Sequence, residues 1–332
     1  MALDGKILRR ARDRLERMKA ERAARTQRRL EEVYQRAPQL RAVDARIRET
    51  MLDAMQLVLS GAAEDDARVE ELRMENSQLQ LQRAETLGRL GLPADYTDEG
   101  YVCPKCRDTG YCGAGLCSCL KALYAQEQKE ELSGLLKLGE QTFDAFDLDW
   151  YDDTPDPSTG ISPRQSMEFV YETCVAYARR FGARSRNLLF TGGTGLGKTF
   201  LSACIARVVA EKGCSVVYET AAELFARFEA EKFARGDAAD SSGDVRRYLN
   251  CDLLILDDLG TEMTTVFVTS ALYTLVNTRL AAGKKTIIST NLTEADIAAR
   301  YSPQIASRVQ GEYQALRFYG QDIRLLKKAR GQ

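Results

Sequence analysis

A short apolar run that passes straight into a glycine-rich turn and then into an apolar-periodic helix leaves few folds open to a chain. Here Asn187-Leu188-Leu189-Phe190-Thr191 is followed by Gly192-Gly193-Thr194-Gly195-Leu196-Gly197-Lys198-Thr199. The spacing is that of a phosphate-binding loop, G-x-x-x-x-G-K-[ST], in the strand–loop–helix context its chemistry requires. Glycines let backbone N–H groups turn inward around a polyphosphate, and the helix N-terminus adds a favourable dipole. Residues Gly192, Gly193, Thr194, Gly195, Leu196, Gly197, Lys198 and Thr199 are therefore the candidate ATP contacts. Lys198 is expected to reach the β- and γ-phosphates, and the Thr199 hydroxyl to ligate Mg²⁺.

From residue 164 onward, helical and strand patterns alternate. Helix 164–181 precedes strand 187–191, and helix 198–212 precedes strand 214–218. A helix from 220 to about 235 and a polar loop at 236–243 lead to strand 252–257. Helix 264–282, strand 285–290 and helices near 293–300 and 303–310 complete the pattern. Such alternation predicts an α/β fold with a parallel sheet covered by helices on both faces. The strand Leu253-Leu254-Ile255-Leu256 ends in Asp257-Asp258, which delivers carboxylates beside the phosphate loop. In this Walker-B arrangement Asp257 would hold Mg²⁺, directly or through water, and Asp258 would polarise the attacking water. Asn291 closes the next buried strand, where its amide would position the lytic water or the γ-phosphate; capping the helix that starts at Thr293 is the alternative. Arg308 is either a surface arginine or one that acts in trans on a neighbouring subunit's nucleotide. Arg324, in Gly320-Gln321-Asp322-Ile323-Arg324, is a candidate for contacting ATP in cis.

The chain of 332 residues is long enough for about two domains. No apolar run approaches the roughly 18 residues of a transmembrane span, and charges interrupt the N-terminus where a signal peptide would be apolar. A cytoplasmic protein with no membrane partner is expected. Net charge is −1, but residues 1–50 carry 15 Lys/Arg against 8 Asp/Glu and residues 51–100 carry 4 against 11. This asymmetry suits helices that attract each other, or a charged arm for a partner. Residues 1–93 read as a helical, partly coiled-coil arm, broken near Ala37 by Pro38 and again at Gly61. Its second half places Val69, Leu72, Asn76, Leu79, Arg83, Thr86 and Leu90 along a seam diluted by polar residues.

Five of the nine cysteines fall within 103–119, and the chain has no histidine. Cys103-Pro104-Lys105-Cys106 is a C-x-x-C knuckle, and Cys117-Ser118-Cys119 supplies a second pair. Four thiolates close a tetrahedral Zn²⁺ shell and leave no position for water, so Cys103, Cys106, Cys117 and Cys119 predict a structural zinc site, with Cys112 as a substitute ligand. Segment 94–140 thus reads as a zinc-binding segment and helix. Residues 141–163 form a linker whose aromatics anchor it to the domain at 164–332.

The phosphate loop, Asp257-Asp258-Leu259-Gly260, Ser289-Thr290-Asn291, Ser307-Arg308 and Gly320-Gln321-Asp322-Ile323-Arg324 together resemble the DnaC/DnaI group of AAA+ ATPases. These are replicative helicase loaders, related to the IstB-like ATP-binding proteins of transposition. Cys103-Pro104-Lys105-Cys106-Arg107-Asp108-Thr109-Gly110 also looks like the zinc segment of DnaI-like loaders, so the resemblance covers about residues 95–328. It implies an AAA+ ATPase that binds ATP with Mg²⁺, single-stranded DNA and a replicative DNA helicase, the last through its N-terminal region. It also implies self-assembly, with Arg308 as the arginine finger. The chain departs from common AAA+ patterns in having Asp258 where many have glutamate. Few residues follow Arg308, so a helical lid is expected to be absent or minimal, and the arginine-rich helices of 1–90 match no named pattern. An IstB-like transposition ATPase and an ATP-binding scaffold with little turnover are the competing readings.

Overall fold

The computed structural model describes residues 3–59, 66–98, 100–136, 141–233 and 242–331. The chain divides into two compact units, one of residues 13–117 and one of residues 1–12 with 118–332.

The smaller unit holds most of α1 (Gly5–Arg36), then α2 (Leu40–Leu59), α3 (Asp66–Arg89) and a small hairpin of β1 (Tyr111–Cys112) with β2 (Gly115–Leu116). Pro38 separates α1 from α2 as expected, because its ring denies the helix a donor. Val33, Ala37, Leu40, Val43 and Leu87 make the core of the turn. At the end of α3, Gly91 takes φ 73° and the Leu92 N–H reaches back to the Leu87 carbonyl at 3.0 Å. This cap satisfies a late helical carbonyl and returns Leu92 to the core. Two of the three polar seam positions are paired with α2, while the Thr86 hydroxyl donates to the Gln82 carbonyl within α3. Asn76 donates to Thr50 Oγ1 at 2.8 Å, and Arg83 meets Asp44 at 3.0 Å. Along α2, Met51 is exposed while its neighbour Thr50 is buried. The stop expected at Gly61 lies outside the described residues.

The larger unit is built on five parallel strands, β3 (Asn187–Thr191), β4 (Val216–Thr220), β5 (Leu253–Leu259), β6 (Lys285–Thr290) and β7 (Tyr313–Arg317). Their order across the sheet is β4-β5-β6-β3-β7. The phosphate-loop strand β3 thus lies between β6 and β7, and β6 separates it from β5. The glycine loop therefore leaves an inner strand of a parallel sheet, in keeping with the α/β alternation read from sequence. Alternation with period two sends Leu188, Phe190, Ile255 and Ile287 into one apolar core and Leu189, Leu254, Leu256 and Ile288 into the other. Helices α4 (Ser118–Leu136), α5 (Pro163–Arg180) and α6 (Lys198–Glu211) precede β4. They are followed by α7 (Ala221–Phe233), α8 (Ser242–Asn250), α9 (Val266–Ala281), α10 (Glu294–Arg300), α11 (Pro303–Glu312) and α12 (Ile323–Ala329).

Three elements were not anticipated. α8 begins in what reads as a polar loop, most of which (236–241) lies outside the described residues. β7 follows α11 without a turn and is a half-exposed edge strand, so its five residues show little hydrophobic signal. α12 supplies one short helix after it. Strand β4 starts two residues later than its apolar run suggests, because the Ser215 N–H and hydroxyl both bond the Asp252 carboxylate at 3.1 Å.

The linker 141–163 is anchored as expected. It forms single 3₁₀ turns at Phe143–Ala145 and Leu148–Trp150, with Phe143, Phe146, Leu148 and Trp150 against the sheet core. Phe146 stacks on Tyr171 of α5 at 5.5 Å. The first residues of the chain also belong to this unit. The Asp4 N–H meets the Tyr124 hydroxyl at 3.0 Å, and Arg10 pairs with Glu127 at 3.4 Å and Glu131 at 3.2 Å. No helix among the described residues is long and apolar enough to cross a membrane.

One buried cation knits the far side of the sheet. The Arg279 guanidinium donates to the carbonyls of Tyr248 (2.6 Å), Cys251 (3.1 Å) and Lys285, and to Thr286 Oγ1 at 2.9 Å. A buried charge is tolerable only when its donors are filled, and here three carbonyls and a hydroxyl from two segments, 248–251 and 285–286, fill them. Arg279→Met should therefore orphan several carbonyls and lower stability by about 2–4 kcal/mol. Urea unfolding followed by circular dichroism checks this, and Arg279→Lys, with fewer and differently placed donors, should recover less than half of the loss.

Candidate nucleotide site and cysteine cluster

The phosphate loop leaves β3 at Thr191 and enters α6 at Lys198. Gly192 and Gly195 take φ values of 137° and 72°. A Cβ on Gly192 would lie 2.5 Å from the Phe318 carbonyl oxygen, and one on Gly195 would overlap the Asp322 carboxylate at 1.9 Å. Both positions therefore require glycine for backbone conformation and for the close approach of the C-terminal segment. That segment is bonded to the loop region, with Phe318 N–H to Thr191 O at 2.7 Å and Ile323 N–H to Gly195 O at 3.1 Å. From the linker, the buried Tyr151 hydroxyl donates to Leu196 O at 2.9 Å. The loop is thus braced from outside by residues on either side of the domain in sequence.

Inside the loop, Lys198 Nζ donates to the carbonyls of Gly192 (2.8 Å) and Gly193 (2.6 Å). Burial pushes its ammonium below the ordinary lysine range, while Asp258 and Asp257 oppose that shift and Arg324 adds to it. The Thr199 hydroxyl donates to Asp257 Oδ2 at 3.0 Å, which joins the start of α6 to the end of β5. Asp257 is buried, whereas Asp258 is exposed and takes φ 53°. This left-handed step, within a register irregularity between Leu256 and Leu259, breaks the alternation that would send the two carboxylates to opposite faces. Both consequently reach the same cleft. Although its side chain reaches solvent, partial desolvation within the cleft, and then the Asp257 charge, raise the Asp258 carboxyl above the usual aspartate range.

The cleft has a volume of about 730 Å³ and is lined by Thr194 to Thr199, Asp257, Asp258, Asn291 and Arg324, together with Phe146, Trp150, Tyr218 and Lys327. A groove of about 760 Å³ exists in the smaller unit, but it has no glycine loop and no polar groups converging in this way. Asn291 stands at the end of β6 and lines the cleft. Thr293 caps α10 with its own hydroxyl, so the capping alternative for Asn291 falls away. Arg324 lines the cleft from the first turn of α12. Arg308 is exposed on α11 and is not among the residues of its own chain's cleft. Tyr218 and Ser289 were not singled out from sequence. Each is a hydroxyl within an apolar strand, a pattern that reads as core, and only their bonds to Asp257 reveal them. The donors present suit a nucleotide triphosphate and its magnesium, namely loop amides, one lysine, one hydroxyl and buried carboxylate oxygens.

The sulfurs of Cys103, Cys106, Cys117 and Cys119 all lie within 4.8 Å of one another. The Cys103–Cys117 separation of 3.7 Å is close to the edge of a tetrahedron with Zn–S bonds of about 2.3 Å. The knuckle is formed by left-handed Arg107 (φ 48°) and Asp108 (φ 60°), with Arg107 N–H bonded to Cys103 O at 2.9 Å. The Asp108 carboxylate receives the N–H groups of Cys103 (2.9 Å) and Val102 (3.2 Å) and pairs with Arg22 at 2.5 Å. Burial alone would raise its pKa. The Arg22 hydrogen bond and the two amides reverse this and hold it below the usual range. Cys112 is exposed, with its sulfur 3.9 Å from the Lys105 carbonyl, and lies outside the set of four.

The purified protein should therefore carry about one zinc per chain, measured by elemental analysis. Asp108→Asn should speed zinc loss to a chelator by about tenfold, because it loosens the Cys103 backbone without removing a ligand. Cys112→Ser should leave the zinc content unchanged. Metal-free protein of normal stability would refute the assignment.

Residues 175–304 match the family model described as IstB-like ATP binding protein. Among curated proteins, the chromosomal replication initiator DnaA of Wolinella succinogenes is 35% identical over 94 residues, which is 28% of this chain and 21% of that protein. The DnaA of Aliarcobacter butzleri is 27% identical over 144 residues, 41% of this chain and 27% of its own. The chain thus spans about a quarter of the length of these relatives. A crystal structure of the DnaC helicase loader aligns with a TM-score of 0.45 and 20% identity, covering 55% of this chain and 99% of that one. The DnaI crystal structure aligns at 0.41 and 18%, covering 46% and 85%. Over residues 175–304 the chain is thus similar to IstB-like ATP-binding proteins, and that stretch contains the glycine loop, the Asp257-Asp258 strand end and Asn291 that line the cleft.

Proposed function

We propose that this protein is an ATP-hydrolysing loader that binds a replicative DNA helicase and places it on single-stranded DNA. The observation that carries the ATPase part is the convergence of Lys198, Thr199, Asp257, Asp258, Asn291 and Arg324 on one cleft. In that cleft Lys198 exchanges the Gly192 and Gly193 carbonyls for β- and γ-phosphate oxygens, an exchange favoured by its partial burial. Thr199 and Asp257 would hold Mg²⁺, which would supply positive charge to the phosphates. Asp258 accepts the proton of the attacking water, and the Asn291 amide orients that water. Arg324 offsets charge on the phosphates in cis. Arg308, exposed and outside the lining of its own cleft, acts on a neighbouring copy of the chain.

The loader part is supported by the motif series from the phosphate loop to Gly320-Gln321-Asp322-Ile323-Arg324 and by the cysteine segment ahead of it. A second reading, a transposition ATPase, is favoured by the IstB-like family match itself. The four-cysteine segment weighs against it, because the resemblance to loaders includes that segment. We place the domain boundaries near 93, 140 and 163, with a partner-docking arm ahead of the zinc segment and linker.

Lys198→Ala should weaken binding of a fluorescent ATP analogue by at least about 100-fold, and Asp258→Asn should retain binding while losing turnover to a similar degree. Unchanged ATP affinity in the lysine variant would refute the cleft assignment. If Arg308 acts in trans, an equimolar mixture of Lys198→Ala and Arg308→Ala chains should regain part of the turnover that each lacks alone. For the loading step, the full chain should co-elute with the replicative helicase of its own cell and deposit it on circular single-stranded DNA only with ATP. Retention of a transposase instead would select the second reading.

A further inference from the structure

A carboxylate offers about four lone-pair positions, two on each oxygen. On Asp257 all four have donors. Oδ1 accepts the Ser289 hydroxyl and the Asp258 N–H at 3.1 Å. Oδ2 accepts the Thr199 hydroxyl at 3.0 Å and the Tyr218 hydroxyl at 2.5 Å. A cation, or a water bound to it, therefore cannot engage this carboxylate until one donor yields. Three of the four are poor candidates to yield. The Asp258 N–H is backbone in the irregular strand end. The Ser289 hydroxyl sits between two strands, where it also accepts the Asp258 N–H at 3.1 Å. Thr199 opens the helix behind the phosphate loop, and its lone pairs remain free for a metal while its proton stays on Asp257.

Tyr218 differs. It comes from β4, lines the cleft, and its hydroxyl lies near Ser202 on α6. Ser202 gives its own proton to Lys198 O at 2.6 Å, so its oxygen is an available acceptor for the phenol. We propose that the Tyr218 hydroxyl guards Asp257, filling the acceptor position that Mg²⁺ or its water must use and turning to Ser202 when the metal is loaded. Tyr218 is thus a positioning residue that sets how much Mg²⁺ the site requires. The inference rests on the reading of the cleft as an ATP–magnesium site.

The test uses the full-length protein and a non-hydrolysable fluorescent ATP analogue, with affinity measured in EDTA and across a Mg²⁺ titration. For each variant the readout is the Mg²⁺ concentration at the midpoint of the metal-dependent gain in affinity. Tyr218→Phe should lower that midpoint about fivefold to tenfold, because metal no longer competes with a hydrogen bond. Ser202→Ala should raise it about threefold in the presence of Tyr218, by removing the resting place of the phenol, and should not move it in the Tyr218→Phe background. A merely structural role for the phenol would change melting temperature without this opposed pair of metal shifts. A midpoint that is unchanged or higher in Tyr218→Phe overturns the proposal, as does a Ser202→Ala effect that persists without the phenol. If the wild-type chain binds no analogue at any Mg²⁺ concentration, the ATP reading itself fails and the guard falls with it.

Discussion

Backbone amides can hold a polyphosphate only if the loop that carries them is kept from relaxing. In this chain the restraint comes from outside the loop. The Tyr151 hydroxyl holds Leu196 O, and Phe318 and Ile323 N–H groups hold Thr191 O and Gly195 O. Asp322 lies so close to Gly195 that no side chain fits there. Linker and C-terminal segment consequently belong to the nucleotide site as much as the loop does. Trp150 shares this arrangement, since its ring lies under Lys327 at 5.6 Å and Arg330 at 4.5 Å from α12.

The same economy of partners governs the carboxylate end of the site. Asp257 is buried, and a buried charge is costly unless every lone pair is met. Thr199, Tyr218, Ser289 and the Asp258 N–H meet them, and they come from α6, β4, β6 and β5 itself. One residue thereby ties four elements together at the open edge of the sheet.

The cysteine cluster repeats the theme on a smaller scale. Asp108 holds the Cys103 and Val102 amides and is itself held by Arg22 from α1, so the knuckle's shape depends on a helix about 80 residues earlier in the chain. In the same unit two of the polar positions that dilute the α3 seam are matched by Thr50 and Asp44 of α2. Buried polar pairs of this kind favour one register over its neighbours, which an all-apolar seam would not do.

Much of the site was legible because its chemistry is local. Glycines that permit left-handed turns, a lysine and threonine at the helix start, paired aspartates at a strand end and a C-x-x-C knuckle each need only neighbours in sequence. Thr293, which caps its own helix, could also have been read as such from Asp296 three residues on. What sequence left out is what depends on residues far apart. β7 is a strand because β3 is beside it, Tyr218 matters because Asp257 is across the sheet, and Asn76 and Arg83 fit a seam because α2 answers them. The sequence alone determined the α/β alternation and the local spacing of the glycine loop, the paired aspartates and the clustered cysteines, since those follow from residue type and order. Only the tertiary structure decided what braces the loop, what fills the lone pairs of Asp257 and which cysteine stands apart, since hydrogen bonds and packing are made in space and leave no local signature.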